Sequence, residues 1–306
     1  MVGRLSLTPG TSAGLIKILC VALCATLSGC ADYDFHKAAR LESKGKSAEA
    51  ARAFERFLDK HPDDPHVPEA AYRAGAIHAE TYGLCRQAVP LFEKAARFGG
   101  QAGPAPGLPG RAPNAGPERS LHDDASASSW PERARLALLS CPDYFPAPSG
   151  GRWEYVDTLS GGQNMRLEIE VRGPTGPGEA VVAGAYFAGE EKFREYRRVC
   201  GREGWSLWEE ESGVRVPVLR FPFRKGHAWE AVLKGERVRF LIEDDSATVK
   251  VKAGTFSGCL KVKQHHAGFE SWTYDYFCPG VGRVKTTVGV PGAENPNTEL
   301  ASYKLK

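Results

Sequence analysis

The chain has 306 residues, a formal net charge of +3, 42% hydrophobic and 25% charged residues, the make-up of ordinary folded protein and enough length for about two domains. No Lys/Arg cluster stands out, which excludes nucleic acid and a polybasic membrane patch as the main basis of partner choice.

The first segment carries Arg4 and Lys17 and no acidic residue, followed by an apolar run from Ile18 to Leu27. At about ten residues this run has the length of a signal-peptide core and is too short to span a bilayer. It closes on Leu27-Ser28-Gly29-Cys30. The arrangement resembles the signal of bacterial lipoproteins. That resemblance implies a signal peptide over 1–29, cleavage before Cys30, and acyl chains such as palmitate on the Cys30 thiol and its new amine. Ala31 follows, not the aspartate that favours inner-membrane retention in enteric bacteria, so the resemblance points to the outer membrane of the cell envelope, facing the periplasm. Two or three acyl chains anchor a protein durably where one holds it only marginally. An ordinary cleaved signal that ends in cysteine is the alternative. Beyond Cys30 the chain keeps Cys85, Cys141, Cys200, Cys259 and Cys278, and an envelope setting permits disulfides. Their number is odd, so at least one thiol stays free or pairs outside the chain.

Residues 30–98 are rich in Ala, Glu, Lys and Arg, with apolar positions at helical spacing. Ala50, Phe54, Phe57 and Leu58 form one such stripe. Asp63, Asp64, Pro65 and Pro68 interrupt it, and a second helix runs from about Pro68 to Tyr82 with Ala71, Tyr72, Gly75 and Ala79 on one side. Gly83 ends that helix. A third stretch carries Ala88, Leu91, Phe92 and Ala95, with Pro90 near enough its start for the missing N–H to matter little. The pieces repeat: Gly45, Ala50 and Phe54 are matched by Gly83, Ala88 and Phe92 at an interval of about 38 residues. This resembles the tetratricopeptide repeat, with Pro62 as a closing proline and Tyr72 as the large aromatic of the second unit. The first unit lacks its large aromatic and the second its closing proline. The same spacing also suits a plain bundle of four amphipathic helices.

Two such units leave an apolar face that a neighbour must cover. Residues 130–142 supply a covering helix from Trp130 through Leu139, with Pro131 in its first turn and Cys141-Pro142 at its end. Residues 99–129, dense in Gly, Pro, Ala and Ser, read as a disordered loop. Docking of the covering helix would let Cys85 and Cys141 bond across that loop.

From 143 to 306 the pattern changes to strands. Arg152–Val156, Arg166–Val171, Arg237–Ile242, Thr248–Val251 and Leu260–Lys263 alternate apolar and polar residues, as strands with one wet face do. Gly161-Gly162, Lys234-Gly235, Asp244-Asp245 and Ala253-Gly254 read as turns, giving an antiparallel meander of about eight to ten strands, folded as a sandwich or half-barrel. The stretch from Phe193 to Val199 reads equally as strand or short helix. Asp143-Tyr144-Phe145-Pro146, Gly151–Tyr155, Phe221–Trp229, Val251–Phe256 and Pro279–Lys285 resemble, in that order, an uncharacterised β-rich domain of secreted bacterial proteins. The resemblance implies a fold and an envelope setting only.

Cys259 and Cys278 flank a turn near Ala267-Gly268, so adjacent strands bring them within disulfide reach and leave Cys200 unpaired, with a Cys200 bond to either as the alternative. His265-His266 lack the spacing of a zinc site, and neighbours on a strand point to opposite faces. Cys259, His265 and Asp275 make a weak cysteine-hydrolase drawing, without the motif of any nucleophile family. Glu209-Glu210-Glu211 read as a solvated charge run, and Trp205, Trp208, Trp229 and Trp272 as core and sheet-end covers. The chain is therefore expected to be an α+β, non-enzymatic lipoprotein without cofactor or nucleic-acid partner. Its membrane contact is the lipid at Cys30, and its helical repeats serve as an adaptor gripping an envelope protein or peptide near Arg73, His78 and Tyr82. The alternative makes the β domain a carrier of a lipid or other apolar ligand.

Overall fold

The computed structural model describes residues 31–98, 129–175, 179–233 and 235–305, which form two compact units with their sequence boundary at Ala134/Arg135. The expected signal segment, Cys30 and residues 99–128 lie outside the described residues.

The first unit contains α1 (residues 31–43), α2 (Ser47–Lys60), α3 (Val67–Ala76), a π-helical turn at Ile77–Thr81, α4 (Cys85–Arg97) and the start of α5 (Trp130–Leu138). Gly45 and Gly83 sit between consecutive helices with φ of 71° and 66°, the left-handed conformation that a glycine adopts without a Cβ penalty. The matched positions of the sequence repeat, Ala50 and Ala88, Phe54 and Phe92, Phe57 and Ala95, are all buried. Gly75 is part of that packing: a Cβ there would lie 2.7 Å from Cε1 of Phe92. Trp130 rests on Tyr72 with ring centroids 5.5 Å apart, so the expected covering helix does reach the second helix pair. Pro90 lies deeper in α4 than expected, in its second turn, where it leaves the Arg86 carbonyl without an i+4 donor. Cys85 is disulfide-bonded.

The second unit is one antiparallel sheet of twelve strands: β1 (Arg152–Asp157), β2 (Arg166–Gly173), β3 (Glu179–Ala188), β4 (Glu191–Glu203), β5 (Ser206–Glu211), β6 (Val214–Arg220), β7 (Ala228–Leu233), β8 (Glu236–Val251), β9 (Gly254–His266), β10 (Trp272–Cys278), β11 (Gly282–Val290) and β12 (Ala293–Lys304). Each strand pairs with the next in sequence except β6 with β7, and β1 pairs with β12. The result is an up-and-down meander curled nearly into a barrel. At the remaining seam the Trp229 indole N–H of β7 donates to the Pro217 carbonyl of β6 at 2.9 Å. A twisted sheet this wide curls because its edges otherwise stay unpaired.

Three sequence expectations are corrected. Of the two expected forms the sheet takes the half-barrel-like one and not the sandwich, but it has twelve strands, not eight to ten, because β4 takes up the ambiguous Phe193–Val199 stretch and several short runs are strands of their own. Asp244-Asp245 form no turn. They lie inside the long β8, at irregularities of its pairing with β9, where Asp244 Oδ1 accepts from the Ser246 N–H at 2.9 Å and so closes its own local bend. Glu209-Glu210-Glu211 belong to strand β5, not to a loop.

The end of the sheet at the β10–β11 connection is covered by residues 139–147. Leu139 and Tyr144 are buried, the Tyr144 hydroxyl donates to the Gly258 carbonyl at 3.1 Å, and the Gly280 N–H donates to the Asp143 carbonyl at 2.7 Å. Arg202 Nη2 donates to both Asp143 carboxylate oxygens at 2.9 Å. Cys259 and Cys278 form the expected cross-strand disulfide between β9 and β10, and Cys141 is disulfide-bonded as well. Cys200 is the free thiol among the described residues and is buried.

At the opposite end Asp157 closes the β1–β2 connection, its carboxylate accepting from the Ser160 hydroxyl, the Ser160 N–H at 2.7 Å and the Met165 N–H at 3.1 Å. The Ser160 bonds, with the other backbone N–H groups, hold its carboxyl down at about 2. A carboxyl lowered in the fold contributes stability above its ordinary range and loses it as pH falls toward about 2. Asp157→Ala is expected to cost about 1 kcal/mol at pH 7. Thermal melts of both proteins should converge as the pH drops below 4, and a pH-independent gap would contradict this assignment.

Candidate functional site

The strands curl around an interior cavity of about 90 Å³. Period two along each strand decides what reaches it. Trp153 and Tyr155 of β1, Ile169 and Val171 of β2, and Val182 of β3 face it, with Cys200, Glu209, Phe240, Val262, Asp275, Phe277 and Arg283 from further round. A twelve-stranded barrel is wider than an eight-stranded one, whose interior ordinary side chains fill. Here the centre is occupied by the longest side chains, including ionised ones.

Two arginines define the electrostatics. Arg198 Nε donates to Glu211 Oε2 at 2.7 Å and Nη1 to Glu209 Oε2 at 3.1 Å, with its guanidinium 4.4 Å from the Tyr196 ring centroid. Arg283 pairs with Asp275 at 3.8 Å, and its backbone carbonyl accepts from the Tyr155 hydroxyl at 2.7 Å. Burial alone would lower the Arg283 affinity for its proton, but Asp275, Tyr155, Glu209 and Tyr196 outweigh it and hold the guanidinium charged. Burial pushes the Tyr155 hydroxyl up, only partly offset by Arg283, and lifts Tyr196 to about 12 against the pull of Arg198. Arg198 faces two carboxylates and Arg283 one, so every carboxylate of the set has a guanidinium partner and the pairs hold the inner wall.

Cys200 lines the same cavity, its Sγ 3.5 Å from the Ala180 carbonyl. Burial, and next the Glu209 carboxylate, push its thiol up to about 11, the opposite of what a thiolate nucleophile requires. The cysteine-hydrolase drawing loses its thiol, because Cys259 is bonded to Cys278. His265 Nε2 lies 2.7 Å from the Phe269 carbonyl and His266 Nδ1 3.3 Å from Glu236, so the two histidines do part as their strand dictates. Compared with protein-family models, curated proteins and solved structures, the chain matches none.

The three residues expected to contact a partner differ in what they have left to offer. Arg73 is spent inside the helical unit: Nε donates to Glu42 at 2.6 Å and Nη1 to Glu69 at 3.0 Å, with the guanidinium 5.0 Å from the Phe54 ring. His78 Nε2 lies 2.7 Å from Glu55. Tyr82 keeps 44% of its surface exposed, beside Leu84 at 41%, where the π-helical turn ends. The interior charges were missed in the sequence, although the alternation of Ser206–Glu211 held a signal: Glu209 and Glu211 turn to Arg198, while Glu210 pairs with Arg215 on the other face at 3.1 Å.

Proposed function

We propose that the chain is a lipid-anchored adaptor of the bacterial envelope, tethered through Cys30 to the outer membrane, that holds an envelope protein or peptide with its helical unit. The observation that carries the reading is the paired helix–glycine–helix arrangement. Gly45 and Gly83 both take the left-handed conformation and the matched Ala and Phe positions are buried alike, which supports a repeat reading of the two helix pairs. Helix pairs of this kind present side chains along one surface for a partner segment. Tyr82 and Leu84 are its apolar contacts, since Arg73 and His78 are occupied within the unit. No enzymatic step enters the reading, since the interior carboxylates are each held by an arginine and Cys200 is buried. The interior cavity of about 90 Å³ falls well below the roughly 300–1,000 Å³ of ligand pockets, and the larger hollow of about 860 Å³ beside β1–β4 is lined largely by charged side chains such as Arg152, Glu154, Glu168 and Arg197, which does not suit the apolar ligand of the carrier alternative.

Two measurements test the reading. Metabolic labelling with palmitate should mark the wild-type chain and not Cys30→Ser. Photo-crosslinking from position 84 in cells should give one discrete adduct that Tyr82→Ser removes without changing the melting temperature. An unlabelled wild-type chain sinks the anchor, and an adduct indifferent to Tyr82→Ser sinks the adaptor surface.

A further inference from the structure

In an antiparallel meander successive connections alternate between two ends. The β1–β2, β3–β4, β5–β6, β7–β8, β9–β10 and β11–β12 connections therefore share one end and residues 139–147 cover the other, while the tip of the long β8–β9 hairpin folds back so that Lys252 Nζ donates to the Gly161 carbonyl of the β1–β2 connection at 3.0 Å. The free end has a regular feature. Leu159 in the β1–β2 connection is 84% exposed, Phe193 just after the β3–β4 turn 57%, Val214 at the start of β6 38%, Val232 near the end of β7 64%, and Phe269 in the β9–β10 connection 56%. Five of the six connections thus carry one large apolar side chain in solvent. At the covered end, among the described residues, no connection does, and the sixth exposed apolar side chain of this unit is Tyr303 on β12.

Isolated exposed apolar residues need no explanation, but one per connection around a single rim is a pattern. We propose that this rim is a membrane-contact surface, whose separate apolar tips enter the headgroup and upper acyl region of a bilayer. A protein partner asks for a contiguous, close-packed apolar centre, whereas a fluid interface accepts several separate insertions, each contributing in proportion to its apolar area. Charge agrees with this choice. Arg166, Lys192, Arg194 and Arg215 beside the tips are each paired with a glutamate, while Arg237 stands opposite Val232 and Lys252 beside the Leu159 connection, so binding depends chiefly on apolar insertion, with a smaller share from anionic lipid. Glu190, Glu191 and Glu270 flank Phe193 and Phe269 in sequence and keep the insertion shallow.

The test places an environment-sensitive dye at Leu159→Cys, Phe193→Cys or Phe269→Cys in the full chain, with Arg224→Cys at the covered end as control. Cys20, Cys24 and Cys30 are changed to serine in every dye-bearing chain, so that no other thiol and no anchor contributes, and Cys200 is buried, with its thiol pushed up to about 11, and stays unlabelled at neutral pH. On vesicles of phosphatidylethanolamine and phosphatidylglycerol the three rim dyes should shift to the blue and be quenched by nitroxide-bearing lipid, while the Arg224→Cys dye stays in water. Adding Phe193→Asp and Phe269→Asp should abolish quenching of the dye at 159. The proposal is overturned if the chain fails to float with the vesicles, if it floats with the rim dyes in water, if all four positions are quenched alike, or if the rim dyes shift without vesicles as protein concentration rises, which would mean that a second copy covers the rim. Palmitate labelling decides the anchor separately, so a dry rim on a floating chain leaves the Cys30 reading intact.

Discussion

Trp153→Ala should lower the stability of the β unit by about 4 kcal/mol, in the range of large-to-small changes at buried aromatic positions. Trp153 stands on β1, the strand that closes the sheet by pairing with both β2 and β12. It is buried, and its indole N–H donates to the Val281 carbonyl at 2.8 Å, tying β1 to the β10–β11 connection over a separation of 128 residues. Gly151 lies so close beneath the ring that a Cβ there would be 2.8 Å from Cη2. Alanine therefore loses the packed ring and also strands a carbonyl. Trp153→Phe keeps most of the ring and loses only the donor, so it should cost about 1–2 kcal/mol. Urea titrations of both variants check this: their midpoints should separate at unchanged slope. Equal losses would mean that the hydrogen bond, and not packing, holds β1 in place.

The parts of this fold legible in sequence are those set by local periodicity. Helical spacing located α2, α3 and α4, because Ala50, Phe54, Phe57 and Leu58 must all face one way to be buried, and they are. Period two located several of the strands, and Gly161-Gly162 does lie in the connection between β1 and β2. Closure was not legible. Pairing of β1 with β12 joins the two ends of the meander, and nothing in Arg152–Asp157 distinguishes an edge strand from one that finds a distant partner. Irregular pairing hid the site in the same way. The register shifts between Tyr276 and Phe277, opposite Arg283 and Lys285, which breaks the alternation just where Arg283 turns inward. An arginine between Gly282 and Val284 reads as surface by default, since its carboxylate partner Asp275 lies on another strand and becomes a neighbour only once the hairpin has formed.

Removal of the Cys259–Cys278 bond should cost roughly 3 kcal/mol on the chain-entropy account of a cross-link closing about 20 residues. Both cysteines are buried among Val249, Val281, Val284 and Leu300, so the replacement matters as much as the bond. Alanine at both positions loses the cross-link and leaves a compact apolar contact. Cys278→Ser alone also places a hydroxyl and an orphaned thiol in that cluster, and should cost a further 1–3 kcal/mol. The cross-link spans the hairpin of β9 and β10, where Phe277 and Val262 form part of the cavity wall beside Asp275, so loosening it frees the wall that holds Arg283. Denaturant midpoints under oxidising conditions should order as wild type, then the double alanine, then Cys278→Ser. A serine variant as stable as the double alanine would mean that the cluster opens to water at this hairpin, and that the inner wall is held by the Arg283–Asp275 pair without the covalent bond.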